Sequence, residues 1–354
     1  MGTSFICIKC KRSQQSSVYE VLCHQCNHPM DLSSASYSQP HPLISMGEGN
    51  TPLVKLESIG RHLNLPNLFA KLEYQNPTGS FKDRGAAILV SELKSQGVTH
   101  IAEDSSGNAG ASIAAYCARA GIKASIFVPS EAPPAKVEQI AFYGAEIIKI
   151  SGGRQTVATA CQEFCKSNGI VYASHNLNPY FIAGTVSFGE EIINSMYPQP
   201  KHILFPVGNG SLLIGTWKSY MKLSYSPSMK PPRLHAIQSI NCMPLVSAFT
   251  GQDYRPSLND APTIAGGIAV QSPPRLLQCL TSLKETNGSA LAVEESSIKR
   301  WQTALAQDEG IFVEPTSAAV LAGLEILITE SRFDSEEPIL VALTGSGFKD
   351  AIPN

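Results

Sequence analysis

The chain has 354 residues, of which 43% are hydrophobic and 16% charged, and its net charge is −2. This composition is typical of a globular protein large enough for two domains. The small net charge argues against a general affinity for nucleic acid or an anionic membrane surface. We expect a cytoplasmic protein, because no apolar run is long enough to cross a bilayer and the N-terminus lacks a signal-peptide core.

The first predicted element is a small zinc-ribbon-like segment at residues 1–30, in which four cysteines follow the spacing C-x2-C-x12-C-x2-C. These cysteines are Cys7, Cys10, Cys23 and Cys26. Two C-x2-C turns can present four thiolates to one ion, the ligand set of a structural zinc site. A ribbon that has lost its metal is the alternative, and His24 and His28 are either bystanders or substitute ligands. Because the segment is too short for its own core, we expect metal to hold it.

Residues 31–45 are rich in Ser and Pro, which predicts a linker. Beyond it, strands are predicted at 68–74, 100–104, 123–129, 145–151, 202–207, 233–239 and 339–343, and helices at 111–121, 134–144 and 212–221. Apolar strands that alternate with helices predict doubly wound parallel sheets. We therefore predict an α/β catalytic region at 46–354, with a smaller domain at roughly 86–185 inserted in the larger one. A site is expected in the cleft at the carboxyl ends of the strands.

Three glycine-containing loops follow predicted strands. The loop VGNGS at 207–211 opens a helix, where backbone N–H groups can cradle a phosphate. The loop SSGNAG at 105–110 offers amide and hydroxyl groups that suit a carboxylate or phenolate oxygen, and TGSG at 344–347 offers a hydroxyl. Each loop by itself is equally consistent with an ordinary tight turn or helix N-cap.

The stretch NPTGSFKDRG at 76–85 places Lys82 at a predicted helix start beside Phe81. Partial removal from water favours a neutral, nucleophilic amine. Taken alone, Lys82 is consistent with an ordinary surface residue. Together with the three loops, it indicates a Schiff base between a lysine and pyridoxal 5′-phosphate.

Eight sequence motifs of this chain occur in the same order in a known enzyme family. They are GEGNTPL, NPTGSFKDRG, SSGNAGASIAAYCARAG, VPSEAPPAKVEQIAFYGAEI, PVGNGSLL, PTIAGGI, EPTSAA and TGSGFKD. In this order they resemble the threonine synthase branch of the fold-type II pyridoxal-phosphate enzymes, from about residue 46 onward. The cysteine segment is similar to the ribbon that some threonine synthases carry. The resemblance implies two α/β domains, an amino-acid substrate and a homodimer.

The resemblance also implies roles for individual residues. Lys82 matches the lysine bound to the cofactor aldehyde, Asn108 the residue that hydrogen-bonds the cofactor O3′, and Thr344 the hydroxyl facing the pyridine nitrogen. The phosphate loop is matched by Gly208, Asn209, Gly210 and Ser211, and the loop for the substrate carboxylate by Ser105, Ser106 and Gly107. A hydroxyl partner leaves the ring nitrogen neutral, which favours elimination and replacement at the side chain. Lys82 then becomes the base for the α-proton.

One stretch departs from the family pattern. Threonine synthases commonly carry an Arg and a Lys that grip the substrate phosphate, and NPYFIAGTVS at 178–187 has Phe181 and Val186 at those positions. An apolar ring cannot provide the bidentate contact that phosphate prefers. Arg154, Lys136 or His175 could substitute, or Phe181 could suit a less anionic substrate side chain.

The sequence therefore predicts a lyase of the threonine synthase type, which converts O-phosphohomoserine and water to threonine and phosphate. The first alternative is β-elimination or β-replacement on another amino acid, such as serine, threonine or O-phosphoserine. The second is a non-catalytic binding protein built on the zinc ribbon.

Overall fold

The computed structural model describes residues 4–33, 43–132, 134–223, 230–254, 262–331 and 333–349. Most of the predicted linker, residues 34–42, lies outside the described residues. The chain divides into two compact units: unit 1 contains residues 1–49 and 76–185, and unit 2 contains residues 50–75 and 186–354. Unit 1 thus takes in the region where the sequence predicts a smaller domain at roughly 86–185.

The strands are numbered in chain order across both units. They are β1 (Ser4–Cys7), β2 (Ser13–Gln15), β3 (Met30–Leu32), β4 (Leu53–Lys55), β5 (Leu68–Lys71), β6 (His100–Glu103), β7 (Lys123–Pro129), β8 (Glu146–Ile150), β9 (Val171–Tyr172), β10 (His202–Pro206), β11 (Arg233–Ser239), β12 (Ser289–Val293) and β13 (Ile339–Ala342).

The α-helices are numbered in the same way. They are α1 (Glu57–His62), α2 (Lys82–Ser95), α3 (Asn108–Ala120), α4 (Pro134–Phe142), α5 (Arg154–Asn168), α6 (Pro179–Ser195), α7 (Ser211–Leu223), α8 (Pro244–Thr250), α9 (Leu276–Glu285), α10 (Glu295–Glu309) and α11 (Pro315–Thr329). No helix among the described residues is long and apolar enough to span a membrane.

Unit 1 contains a parallel sheet with the strand order β8-β7-β6-β9 and, at the N-terminus, a small antiparallel sheet with the order β2-β1-β3. The small sheet does not stand alone. Phe5 of β1 contacts the Tyr180 ring edge-on at a centroid distance of 5.7 Å, and Phe5, Met30 and Leu32 belong to the same buried apolar cluster as helices α2 and α3. The segment thus shares the core of unit 1, so apolar packing as well as any metal holds it in place.

Unit 2 contains a six-stranded sheet with the order β12-β11-β10-β13-β5-β4. Its strands are parallel except for β4, which pairs with β5 in the antiparallel sense. Helix α11 is apolar on nearly all sides, and residues from Pro315 to Leu324 are buried. A helix that is hydrophobic all round is a core helix, so α11 anchors the centre of this unit.

The α/β class and the parallel sheets predicted from the sequence are confirmed. The predicted strands at 123–129 and 233–239 match β7 and β11 residue for residue. Helix α3 ends where predicted, because Gly121 adopts a left-handed φ of 67° that closes the helix. The strand predicted at 68–74 is shorter, since β5 stops at Lys71 and a 3₁₀ turn follows at Glu73–Gln75.

A buried cation explains that early end of β5. Lys71 is 2% exposed, and its Nζ donates to the Thr51 carbonyl at 2.7 Å and to Thr51 Oγ1 at 2.8 Å. The same Nζ lies 2.8 Å from a carboxylate oxygen of Glu191. Thr51 Oγ1 in turn donates to buried Glu73 at 2.6 Å, so the chain after β5 turns to satisfy these polar groups.

We expect Lys71→Ala to lower the free energy of unfolding by about 3 kcal/mol, because it leaves the partners of a buried cation unsatisfied. Lys55→Ala is the control, since Lys55 is 41% exposed and stands 4.0 Å from Glu57; its loss should be below about 1 kcal/mol. Urea denaturation measures both. Equal losses in the two variants would contradict a stabilising role for the buried network.

Candidate active site

The predicted cofactor and substrate residues divide between the units. Lys82, Asn108 and the loop 105–107 belong to unit 1, whereas the loop 208–211 and Thr344 belong to unit 2. Each group is described within its own unit.

Lys82 is the first residue of α2, at the start of the helix as the sequence predicts. Its side chain is half-buried, and its Nζ lies 4.2 Å from the centroid of the Phe81 ring. Ser80, two residues before it, is fully buried, and its Oγ has no hydrogen-bond partner within the described part of the chain. An unsatisfied buried hydroxyl beside a half-buried amine marks a place for a polar ligand.

The neighbouring Asp83 fixes the turn that presents Lys82. Asp83 is fully buried and accepts hydrogen bonds from Thr78 N–H at 2.7 Å and from Thr78 Oγ1 at 2.5 Å. It also accepts one from Ser112 Oγ of α3 at 2.6 Å. Gly79 helps to form the turn with a φ of 85° and donates its N–H to the Asn76 carbonyl at 2.8 Å. The starts of α2 and α3 are thereby tied together.

The loop between β6 and α3 contains the predicted carboxylate-binding residues. Residues 105–108 are partly exposed, and Gly107 N–H donates to Ser105 Oγ at 3.3 Å. A Cβ on Gly110 would stand 1.9 Å from the Ser105 carbonyl oxygen, so only glycine allows this close approach. A Cβ on Gly107, by contrast, would meet no described atom within 4 Å, so the loop borders open space.

In unit 2, the loop 208–211 joins β10 to the first residue of α7. Gly210 has a φ of 79°, and a Cβ there would stand 2.1 Å from Cys279 Sγ. The Oδ1 atom of Asn209 is buried and lacks a hydrogen-bond partner among the described residues. The backbone N–H groups at the start of α7 fit an anionic group such as a phosphate, whereas the Asn209 oxygen would need a donor.

Thr344 follows β13 and is 3% exposed. Its Oγ1 lies 3.2 Å from Ser317 Oγ, which also accepts the Gly345 N–H at 2.9 Å. Thr316, next to Ser317 in the first turn of α11, accepts the Gly267 N–H at 3.0 Å. The start of α11 therefore orients both the Thr344 turn and the glycine stretch at 266–268.

Phe181 and Val186 are enclosed side chains, with exposed fractions of 0% and 1%. A Cβ on Gly85 would lie 2.6 Å from atoms of the Phe181 ring, so this ring packs on the backbone of the first turn of α2. The ring centroid also lies 5.9 Å from that of His175. Neither position can supply the cation that the family pattern has there.

Sequence reasoning did not identify Asp83 and Ser317 as positioning residues, although both stand inside quoted motifs. It also missed Glu103, a fully buried acid that hydrogen-bonds His175 Nδ1. The available signal was its position next to the end of the strand predicted at 100–104, where a parallel sheet places ligands.

The four N-terminal cysteines form a compact sulfur cluster, since their Sγ atoms all lie within 4.8 Å of one another. The two C-x2-C turns have matching geometry: each is followed by a left-handed residue, Lys11 with φ 62° and Asn27 with φ 53°. N–H groups of Cys26 and Gln25 lower the pKa of Cys23 to about 6. Burial and the neighbouring Cys7 thiol raise the pKa of Cys26 to about 12.

This sulfur cluster fits a tetrahedral ion. Lys9 and Cys10 N–H groups both point to Cys7 Sγ at 3.4 Å, which stabilises a thiolate. The nearby histidines have other partners, because His24 Nε2 contacts Glu20 and His28 Nδ1 contacts the Cys26 carbonyl.

Comparison with known proteins identifies the family. The sequence profile described as "Pyridoxal-phosphate dependent enzyme" matches residues 44–345. The chain belongs to this family. It is 34% identical to the threonine synthase of Methanocaldococcus jannaschii over 313 residues, which are 87% of this chain and 77% of that one. It is 32% identical to a threonine synthase from a Bacillus species over 320 residues, covering 89% and 88%.

A solved structure shares the fold at lower identity. The processed form of threonine deaminase isoform 2 from Solanum lycopersicum has a TM-score of 0.73 and 20% identity, covering 84% of this chain and 79% of that one. This likeness supports the α/β fold. The family and the threonine synthase relatives show a pyridoxal-phosphate-dependent lyase of the threonine synthase type.

We expect Asp83→Ala to lower the free energy of unfolding by about 3 kcal/mol, because three buried donors lose their acceptor. The variant should also bind less cofactor, since the turn before Lys82 is released. Glu92→Ala, on the same helix with a side-chain contact to Gln96 at 2.6 Å, is the control and should change both quantities little. Denaturation and cofactor absorbance measure the effects. Unchanged cofactor binding in the destabilised Asp83 variant would contradict the positioning role.

Proposed function

We propose that the protein catalyses elimination or replacement at the side chain of an amino acid, with Lys82 as the residue that binds pyridoxal phosphate. The observation that carries the proposal is the half-buried position of Lys82 on Phe81 at the start of α2, in a chain of this enzyme family.

The remaining groups of the cofactor have proposed partners. Asn108 would bond the O3′ oxygen, Thr344 would face the pyridine nitrogen, and the phosphate would take the loop of Gly208, Asn209, Gly210 and Ser211. The helix start at Ser211, whose N–H groups can bind an anion, and the open space beside Gly107 support this fit. When bound, the cofactor withdraws electrons from the α-carbon of the substrate.

The protein's own residues then determine the reaction. The loop Ser105, Ser106 and Gly107 would bind the substrate carboxylate, which orients the α-carbon. The amine of Lys82 would remove the α-proton and hold it. Because Thr344 offers a hydroxyl that Ser317 orients, this position supplies no carboxylate to protonate the ring, which favours chemistry at the side chain.

Two substrate classes compete. The threonine synthases among the relatives suggest O-phosphohomoserine, which with water gives threonine and phosphate. The enclosed Phe181 and Val186 favour the second class, an amino acid whose side chain carries no phosphate, because neither residue can bind an anion.

The first test offers O-phosphohomoserine, O-phosphoserine, serine and threonine separately to the cofactor-loaded protein. We expect at least one of them to shift the absorbance of the bound cofactor and to release phosphate, ammonia or a new amino acid. Lys82→Ala should abolish turnover, whereas Lys94→Ala, in the exposed last turn of the same helix, should retain it. No response to any amino acid, or full activity of Lys82→Ala, would contradict the proposal.

We also propose that Cys7, Cys10, Cys23 and Cys26 hold one structural zinc ion. Support comes from the compact sulfur cluster and its two matching turns. Four thiolates leave no open coordination position, so this ion would not take part in catalysis. Because Phe5 and Met30 share the core of unit 1, loss of metal should loosen the turns without unfolding the unit.

Elemental analysis should find one zinc per chain, falling below half occupancy in Cys10→Ser and staying at one in His24→Ala. Amide hydrogen exchange should accelerate in residues 7–12 and 23–28 after chelation, because metal no longer holds the turns. A metal-free protein with slow exchange in these turns would instead favour the ribbon that has lost its ion.

A further inference from the structure

Glu103 and His175 form a buried pair at one edge of the parallel sheet of unit 1. Glu103 ends β6 and is 0% exposed, and His175 stands three residues after the end of β9 and is 8% exposed. These strands are parallel neighbours, so both residues lie at the carboxyl edge, where open α/β sheets bind ligands. The carboxyl Oε1 of Glu103 is hydrogen-bonded to His175 Nδ1.

The pair is incompletely satisfied. Glu103 Oε2 is buried without a hydrogen-bond partner among the described residues. A buried polar atom without a partner destabilises the fold, so packing does not explain a carboxyl group at this position. The structure also gives His175 Nε2 no hydrogen bond to any described residue, and about a tenth of the side chain remains exposed.

Several charged or titratable groups surround the pair. Burial raises the pKa of Glu103 well above its usual range, and the charges of Asp104 and Cys165 raise it further. A backbone hydrogen bond from His175 and the positive charge of Lys82 act in the opposite direction but are outweighed. Burial, then the charges of Lys82 and Arg154, lowers the pKa of His175 well below its usual range. Both directions favour the neutral pair over the charged one. In the neutral pair the carboxyl group donates to Nδ1, and the imidazole keeps its own proton on Nε2.

The pair lies beside the turn that carries the reactive lysine. The Phe181 ring contacts Gly85, three residues after Lys82, and meets the His175 ring edge-on at 5.9 Å. The loop of the proposed carboxylate site begins at Ser105, two residues after Glu103. A proton donor at this corner would therefore stand near the side chain of a bound amino acid.

We propose that His175, positioned by Glu103, donates the proton that the side-chain oxygen of the substrate needs when it leaves, so that the substrates are amino acids with a side-chain hydroxyl. This inference rests on the proposed function. It extends that function by naming the substrate class and a second proton-transfer group.

The step balances as the loss of one water molecule. The C–O bond of the side chain breaks, its electron pair stays on oxygen, and the oxygen takes the proton of His175 Nε2. At the same time Nδ1 takes the carboxyl proton of Glu103, which becomes a carboxylate. Lys82 holds the α-proton, and returning a proton to Glu103 from Lys82 or solvent restores the pair.

The chemistry of the leaving group decides the substrate class. A hydroxyl group leaves poorly without a proton, whereas a phosphate ester leaves as a stabilised anion. A neutral imidazole that is hydrogen-bonded to a protonated carboxyl group can donate a proton to a leaving hydroxyl. It carries no positive charge with which to bind a phosphate. Arg154 is an exposed cation whose charge reaches His175, so it is the residue to vary when phosphate recognition is tested.

The experiment compares leaving groups in the cofactor-loaded enzyme. Glu103→Gln and His175→Gln should lower kcat on serine or threonine by about 100-fold or more, the usual contribution of a general acid. The same variants should change the rate on β-chloroalanine by less than about threefold, because chloride leaves without a proton. His100→Gln is the control, since His100 begins the same strand and bonds Ser125 Oγ at 2.9 Å; it should retain both activities.

Each other outcome has a distinct meaning. Equal losses on both substrates would make the pair structural and overturn the proton transfer; Glu103→Gln, which conserves volume, provides this answer if His175→Gln does not fold. Phosphate release from O-phosphohomoserine that depends on Arg154, with no activity on serine or threonine, would overturn the substrate class. If no amino acid shifts the cofactor absorbance, the proposed function itself fails.

A spectroscopic measurement tests the proton positions without turnover. ¹⁵N NMR of the imidazoles at pH 7 should show His175 neutral with its proton on Nε2, and Glu103→Gln should change its nitrogen shifts. A cationic His175 at pH 7 would contradict the relay.

Discussion

The proposed chemistry depends on the hydrogen bonds that the buried carboxylate of Asp83 accepts. It takes hydrogen bonds from the turn before α2 and from the side of α3, so one group fixes Lys82 and the start of the next helix. Its position in the first turn of α2 is electrostatically favourable, since the positive end of the helix lies there. The flexible side chain of Lys82 therefore extends from a backbone that is held in one conformation, as the positioning of a nucleophile requires.

In unit 2, polar side chains at the start of a helix also hold loops by hydrogen bonds. The hydroxyls of Thr316 and Ser317, side by side at the start of α11, hold one loop each, and α11 itself is enclosed by the core. In both units a small buried polar group at a helix start orients a glycine-containing turn. The apolar core makes each unit rigid, and these few hydrogen bonds orient the loops that carry the functional side chains.

Local patterns predicted much of the fold. Strands β7 and β11 were predicted to the residue because apolar runs there end at clear boundaries, and the cysteine spacing located the sulfur cluster. The pair of Glu103 and His175 was not predicted, since 72 positions separate them and only strand order joins them. The packing of Phe181 on Gly85 was equally hidden, because it depends on how α6 meets α2.

The assignment of Lys82 as the cofactor-binding lysine can be tested by reducing the cofactor-loaded protein with borohydride and mapping the modified peptide by mass spectrometry. We expect one pyridoxyl group per chain, attached to Lys82 in the peptide that contains Phe81 and Asp83. Attachment to any other lysine, or a loaded protein that carries no reducible adduct, would contradict it.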